Sequence, residues 1–146
     1  MLLSKSCEYG LRAAIYLTSL QQDGYVSVRE LGNALDISPH FLTKIFQKMT
    51  HAGLMRSFRG PNGGVALARP AGKITLRELV VAIDGPELFT ECILGLPGCG
   101  QRTPCPLHES WTAVRMEMET MFGSETLEVF AEKIKGLNLR ISPLRF

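Results

Sequence analysis

Apolar residues recur at helical spacing through most of this chain, and the interruptions divide it cleanly. From about Leu3 to Leu20, Leu11, Ile15 and their neighbours run without a proline, predicting a helix that ends near Asp23-Gly24. Ser27 followed by Glu30 has the form of a capping box, opening a short helix with Val28, Leu31 and Leu35 facing inward. Ser38 is a candidate N-cap, Pro39 suits the first helical position, and Ile37 is placed to staple against Leu42. Leu42, Ile45, Phe46 and Met49 then form an i, i+3, i+4, i+7 stripe, and Gly53 is a C-terminal stop. Two short helices joined at Asp36-Ile37-Ser38 make a helix-turn-helix.

The period then changes. Leu54 to Arg59 and Val65 to Ala68 read as strands joined through Gly60-Pro61-Asn62-Gly63-Gly64, with Asn-Gly at the hairpin tip. A second capping box, Thr75 to Glu78, opens a helix through Ile83 that Gly85-Pro86 ends. Glu91 to Pro106 has no periodicity and is rich in Cys, Gly and Pro. Beyond it Leu107, Trp111, Val114, Met118, Met121 and Phe122 mark one face of a long helix; after Gly123-Ser124, Leu127, Phe130, Ala131 and Ile134 mark a shorter one. The expected fold is mainly α: a winged helix-turn-helix with a β-hairpin wing over residues 1–85, a cysteine-rich loop at 86–106, dimerisation helices at 107–136 and a tail at 137–146.

Charge sharpens this picture. The 146 residues carry 16 basic and 14 acidic side chains, yet no Asp or Glu lies between Ile37 and Arg77. That window holds Lys44, Lys48, Arg56, Arg59, Arg69, Lys73 and Arg77, so the rest of the chain is net acidic. Such asymmetry points to a polyanionic partner. In helix-turn-helix docking the start of the second helix meets base edges in the major groove. His40, Thr43 and Lys44 are placed for that, with Gln47 and Lys48 nearer the phosphates. The wing offers Arg56, Arg59 and Asn62, an arginine there being suited to a minor groove. Double-stranded DNA is the expected partner. No phosphate-binding Gly-rich loop and no paired His with a general base suggest an enzyme. No apolar run reaches the length that spans a bilayer, and Glu8 and Arg12 interrupt any secretory signal, so a cytoplasmic protein with no membrane partner is expected.

Cysteines in that compartment are thiols or ligands rather than disulfides. Cys92, Cys99 and Cys105 are spaced C-x6-C-x5-C, with His108 three positions further on. Three thiols on a Gly/Pro-rich loop suit a soft metal or an iron–sulfur cluster, and the C-x2-4-C knuckle of structural zinc sites is absent. The open questions are the fourth ligand, His108 or Glu8 of a partner chain, and whether the thiols act instead as metal-free sensors. Cys7 has no cysteine nearby and reads as buried and inert.

Gly53 through Gly64, the opening Ser4-Lys5 and Glu8 to Ala13, and Thr75 to Asp84 together resemble the Rrf-type winged-helix transcription regulators, the family that includes IscR and NsrR. The resemblance covers nearly the whole chain. It implies a homodimer joined through the long C-terminal helix and bound to a roughly palindromic operator. It also implies base contacts from positions matching His40, Phe41, Thr43 and Lys44, with Arg59 in the minor groove; Ser38, at the start of that helix, is a further DNA-binding candidate. Its branches imply a 2Fe–2S cluster with a histidine matching His108, or a nitric-oxide-sensing 4Fe–4S cluster with an acidic residue matching Glu8. The first cysteine gap here is six residues where the family's is commonly five, and Thr43-Lys44 departs from the acidic-polar pair of IscR-like proteins.

Overall fold

The computed structural model describes residues 2–100 and 102–143. Seven α-helices and one two-stranded antiparallel sheet follow in order: α1 (Lys5–Leu20), α2 (Val28–Leu35), α3 (Pro39–His51), β1 (Met55–Phe58), β2 (Gly64–Leu67), α4 (Leu76–Asp84), α5 (Glu87–Thr90), α6 (His108–Ser124) and α7 (Leu127–Leu137), with a 3₁₀ turn at Ala71–Lys73 before α4. This is the winged helix expected from the sequence. Residues 144–146, the end of the predicted tail, lie outside the described residues.

The local signals account for most boundaries. Ser4 caps α1 through the Cys7 N–H, and the helix stops at Leu20, where Gln21 turns left-handed, three residues short of the predicted end at Asp23-Gly24. Ser27 accepts the Glu30 N–H. Thr75 and Glu78 form the full reciprocal box. Burial opposes the Glu78 charge, but the Thr75 N–H and the Arg69 guanidinium outweigh it and hold the carboxyl below its usual range. Ser38 makes no side-chain cap: with Pro39 at the first helical position its hydroxyl stays exposed, and only its carbonyl serves the helix, accepting the Leu42 N–H.

Leu31, Leu35, Leu42, Ile45 and Met49 are all buried to 2% exposure or less, so α2 and α3 meet through the predicted stripes. Gly32 makes the turn between them possible. Its carbonyl accepts the Ile37 N–H, and a Cβ there would stand 2.5 Å from the Ile37 carbonyl oxygen and 3.0 Å from the Pro39 ring. β1 pairs with β2 from Met55↔Leu67 to Phe58↔Gly64. The loop between them spans five residues: Gly63 N–H returns to the Gly60 carbonyl, placing Pro61 and Asn62 at the corners. Asn62 has no positive φ, so the tip is a Pro-led turn rather than the two-residue Asn-Gly turn. Val26 bridges Val65 by two backbone hydrogen bonds of 2.9 Å, fastening the wing to the strand-like entry of α2.

The C-terminal helices part company. α7 lies along α1, with Leu127 fully buried and its N–H on the Ile74 carbonyl. The apolar stripe on α6 is split. Phe122 is buried and Trp111 and Met118 are half-buried against their own chain, whereas Leu107, Val114 and Met121, seven residues apart, are 46%, 48% and 52% exposed. The short helix α5 was not foreseen; it sets buried Phe89 edge-on against Phe122, centroids 5.8 Å apart.

Candidate nucleic-acid interface and thiol centre

α3 presents His40, Thr43, Lys44, Gln47 and Lys48 on its exposed side, opposite the buried stripe. Two details qualify that face. Phe41 is half-buried, its ring edge-on to Tyr9 at 5.6 Å, and Lys48 Nζ donates to the Ile83 carbonyl at 3.1 Å, drawing it toward the end of α4. Thr43 Oγ1 donates to the Pro39 carbonyl at 2.9 Å, leaving its lone pairs outward. Across a groove of about 580 Å³ stands the wing, with Phe58 and Arg59 on the far wall and Thr43, Gln47 and His51 on the near one. Arg56 lies over the Tyr25 ring, which stacks on Phe58 at 5.5 Å; Arg59 and Asn62 are exposed at the tip. Neither Tyr25 nor His51 was anticipated: Tyr25 lies outside the predicted reading elements, and His51 sits in the last turn of α3, beyond the residues expected to meet DNA.

Of the seven cations in the acid-free window, Arg69 and Arg77 are consumed internally, paired with Glu78 and Glu119. Among the described residues no carboxylate pairs with Lys44, Lys48, Arg56 or Arg59. Lys73, on the 3₁₀ turn, has no salt bridge there either, so four of the five uncompensated cations of the window lie on α3 and the wing, where a phosphate backbone would meet them.

The second centre lies at the foot of α6. Cys92 follows α5 and Cys105 precedes α6, and their sulfurs stand 3.7 Å apart. Cys99 Sγ lies 3.6 Å from His108 Nδ1 and 3.6 Å from an Arg115 guanidinium nitrogen. Hydrogen bonds from the Leu96 and Leu94 backbone hold the Cys92 thiol below its ordinary range against the cost of burial, with Cys105 and Cys99 beside it; desolvation pushes Cys105 up. Gly100, at φ +77°, packs on the imidazole so closely that a Cβ would fall 2.6 Å from His108 Nε2. Among the described residues, no three His, Cys, Asp or Glu side chains close on a single metal ion. Cys92 contacts Cys105 and Cys99 contacts His108, with Cys99 also beside Cys92.

The same arginine anchors the loop. Arg115 donates to the Thr90 and Glu91 carbonyls at 3.2 and 3.1 Å, and Trp111 Nε1 donates to Glu91 at 2.9 Å. The sequence reading missed both clasps, since nothing local marks a contact across twenty residues or more. Glu8 pairs with Lys5 on α1, and no hydrogen bond or ion pair joins it to the loop within the described chain. Cys7 is fully buried; desolvation, with the Asp84 carboxylate adding to it, pushes its thiol up to about 12. Iodoacetamide at pH 9 is therefore expected to leave Cys7 unmodified in the folded protein and to label it once denatured, read by peptide mass mapping.

Comparison with known proteins decides the class. A family model described as Rrf2, iron-dependent transcriptional regulator, matches residues 3–133. The chain belongs to the Rrf2 family. It is 30% identical over 139 residues to the HTH-type transcriptional regulator IscR of Xenorhabdus nematophila, covering 95% of this chain and 84% of that protein. Among solved structures, CymR, the global cysteine regulator of B. subtilis, superposes with a TM-score of 0.73 at 26% identity, over 89% of this chain and 95% of that one. T. potens IscR superposes with a TM-score of 0.72 at 21% identity, over 94% and 91%, and speaks to the fold alone. As an Rrf2 protein the chain is a DNA-binding transcription regulator, not an enzyme. No helix among its described residues is long and apolar enough to cross a membrane.

Proposed function

We propose that this Rrf2 regulator binds its operator as a homodimer and that operator binding is governed by an iron–sulfur cluster held at Cys92, Cys99, Cys105 and His108. The observation that carries the reading is the convergence of three thiols and one imidazole at the foot of α6, a soft donor set suited to iron and sulfide. His108 completes it within one chain, its Nδ1 turned toward Cys99; Glu8 of the partner subunit is the alternative fourth ligand. Bound there, the cluster would supply iron–thiolate bonds sensitive to redox state, to nitric oxide and to cluster supply.

The protein's own contribution is mechanical. Arg115 and Trp111 hold the end of α5 against α6, and Arg77 joins α4 to Glu119 on α6 while its guanidinium lies 5.0 Å over Phe89. Loop, long helix and DNA-reading head are thus in one contact chain. Val114 and its heptad neighbours leave α6 an apolar seam for a second copy. Two such heads would read two half-sites, and the setting of the loop would bias the equilibrium between two spacings.

Anaerobic purification tests the centre: a coloured protein containing iron and sulfide supports it, with Mössbauer spectra of Glu8→Ala and His108→Ala naming the fourth ligand. A colourless protein that still answers peroxide or nitric oxide would leave the metal-free thiol reading instead. For the reading head, Lys44→Ala is expected to cost about 1–3 kcal/mol on the cognate operator and to relax its preference. Arg56→Ala should weaken all duplexes alike and reduce the salt slope by about one, both followed by fluorescence anisotropy across salt.

A further inference from the structure

The four sulfur and nitrogen donors are not equivalent, and the difference bears on the chain without metal. Cys92 and Cys105 lie in direct contact, sulfurs 3.7 Å apart, whereas Cys99 is engaged on two sides by His108 and Arg115, each at 3.6 Å. The pair also sits at structurally defined ends. Cys92 accepts the Gly95 N–H with its carbonyl directly after α5, and the Cys105 carbonyl accepts the His108 N–H that opens α6. Among the described residues between them there is no helix or strand, so the two sulfurs can close the remaining gap to bonding distance without unpacking one. Cys7, fully buried on α1, is out of reach.

We propose that in the iron-free protein Cys92 and Cys105 form a specific disulfide on exposure to hydroperoxide, leaving Cys99 reduced. One sulfur of the pair attacks a peroxide oxygen, breaking the O–O bond, becoming a sulfenic acid and releasing hydroxide, which takes up a proton as water. The second sulfur then attacks the first, and the sulfenic oxygen leaves as a second water with the second thiol's proton. Two thiols and one hydrogen peroxide give one disulfide and two waters; the sulfurs together lose the two electrons that the peroxide gains. Joined in this way the pair cannot ligate metal, so oxidation closes the same loop by a covalent route that excludes iron. The inference rests on the thiol geometry and holds whether or not the cluster reading is right.

The test uses the full chain, stripped of iron with a chelator, reduced under nitrogen and then treated with one equivalent of hydrogen peroxide. Free thiols are alkylated before and again after denaturation, and the peptides are mapped by mass spectrometry. The expected result is a linked Cys92–Cys105 peptide, Cys99 alkylated in the first step and Cys7 only in the second. Cys99→Ser should yield the same link. Linkage through Cys99, a bond between chains, three free thiols after treatment, or loss of the link in Cys99→Ser would each overturn it. The outcome is independent of iron content, so failure here leaves the cluster reading standing, and failure of that reading leaves this one to be judged on the peptide map.

Discussion

Gly32→Val is expected to abolish operator binding by collapsing the helix-turn-helix, with a loss of about 3 kcal/mol or more in unfolding free energy and a fall in Tm of roughly 10 °C. The reason is the neighbour that a side chain would meet. At Gly32 a Cβ points at the Ile37 carbonyl oxygen, 2.5 Å away, and at Pro39, 3.0 Å away. The oxygen is backbone, fixed because Gly32 itself accepts the Ile37 N–H, and the proline ring begins α3, so neither can rotate aside. The turn must open, and α3 loses its placement against Leu31 and Leu35. Thermal unfolding and anisotropy on one sample check both parts; a variant with normal Tm and normal affinity would contradict the account.

A pair of substitutions in the C-terminal helices should give opposite results. Leu127→Ala removes a fully buried side chain where α7 joins the body, and is expected to cost about 2–5 kcal/mol. Val114→Glu alters a position 48% exposed in the single chain and should leave protomer stability within about 0.5 kcal/mol. On the homodimer proposal it should nevertheless shift the sedimenting species from dimer to monomer, since a carboxylate would enter the seam between two α6 helices. Affinity for a two-half-site operator would fall with it. If Val114→Glu stays dimeric, the seam lies elsewhere.

What could be read in advance depended on whether a signal was local. Thr75, the Leu42 to Met49 stripe and the spacing of the wing each act within a few residues and appear where expected, while Ser27 makes only its own half of the expected box. The α6 stripe from Leu107 to Phe122 could not be parsed, because a broad apolar arc looks the same whether it meets one partner or two. Only coordinates separate Trp111, Met118 and Phe122, turned inward, from Leu107, Val114 and Met121. The thiol spacing marked the loop but not which sulfurs meet, which follows from the loop backbone and from Arg115, sixteen residues beyond Cys99. The cation count had the same weakness. Arg69 and Arg77 add to the cationic window in the sequence but are spent on Glu78 and Glu119, carboxylates just beyond or far from it.

The two hydrogen bonds between Val26 and Val65 have a bearing on where regulation can act. They weld hairpin and helical reader into one stiff body, so neither can swing against the other while the core holds. A signal arriving through α6 then has only rigid-body freedom to exploit: it can tilt or separate whole heads but not reshape one. Variants that uncouple sensing from DNA affinity should therefore map to the joints around Arg77 and Arg115, outside residues 26–65.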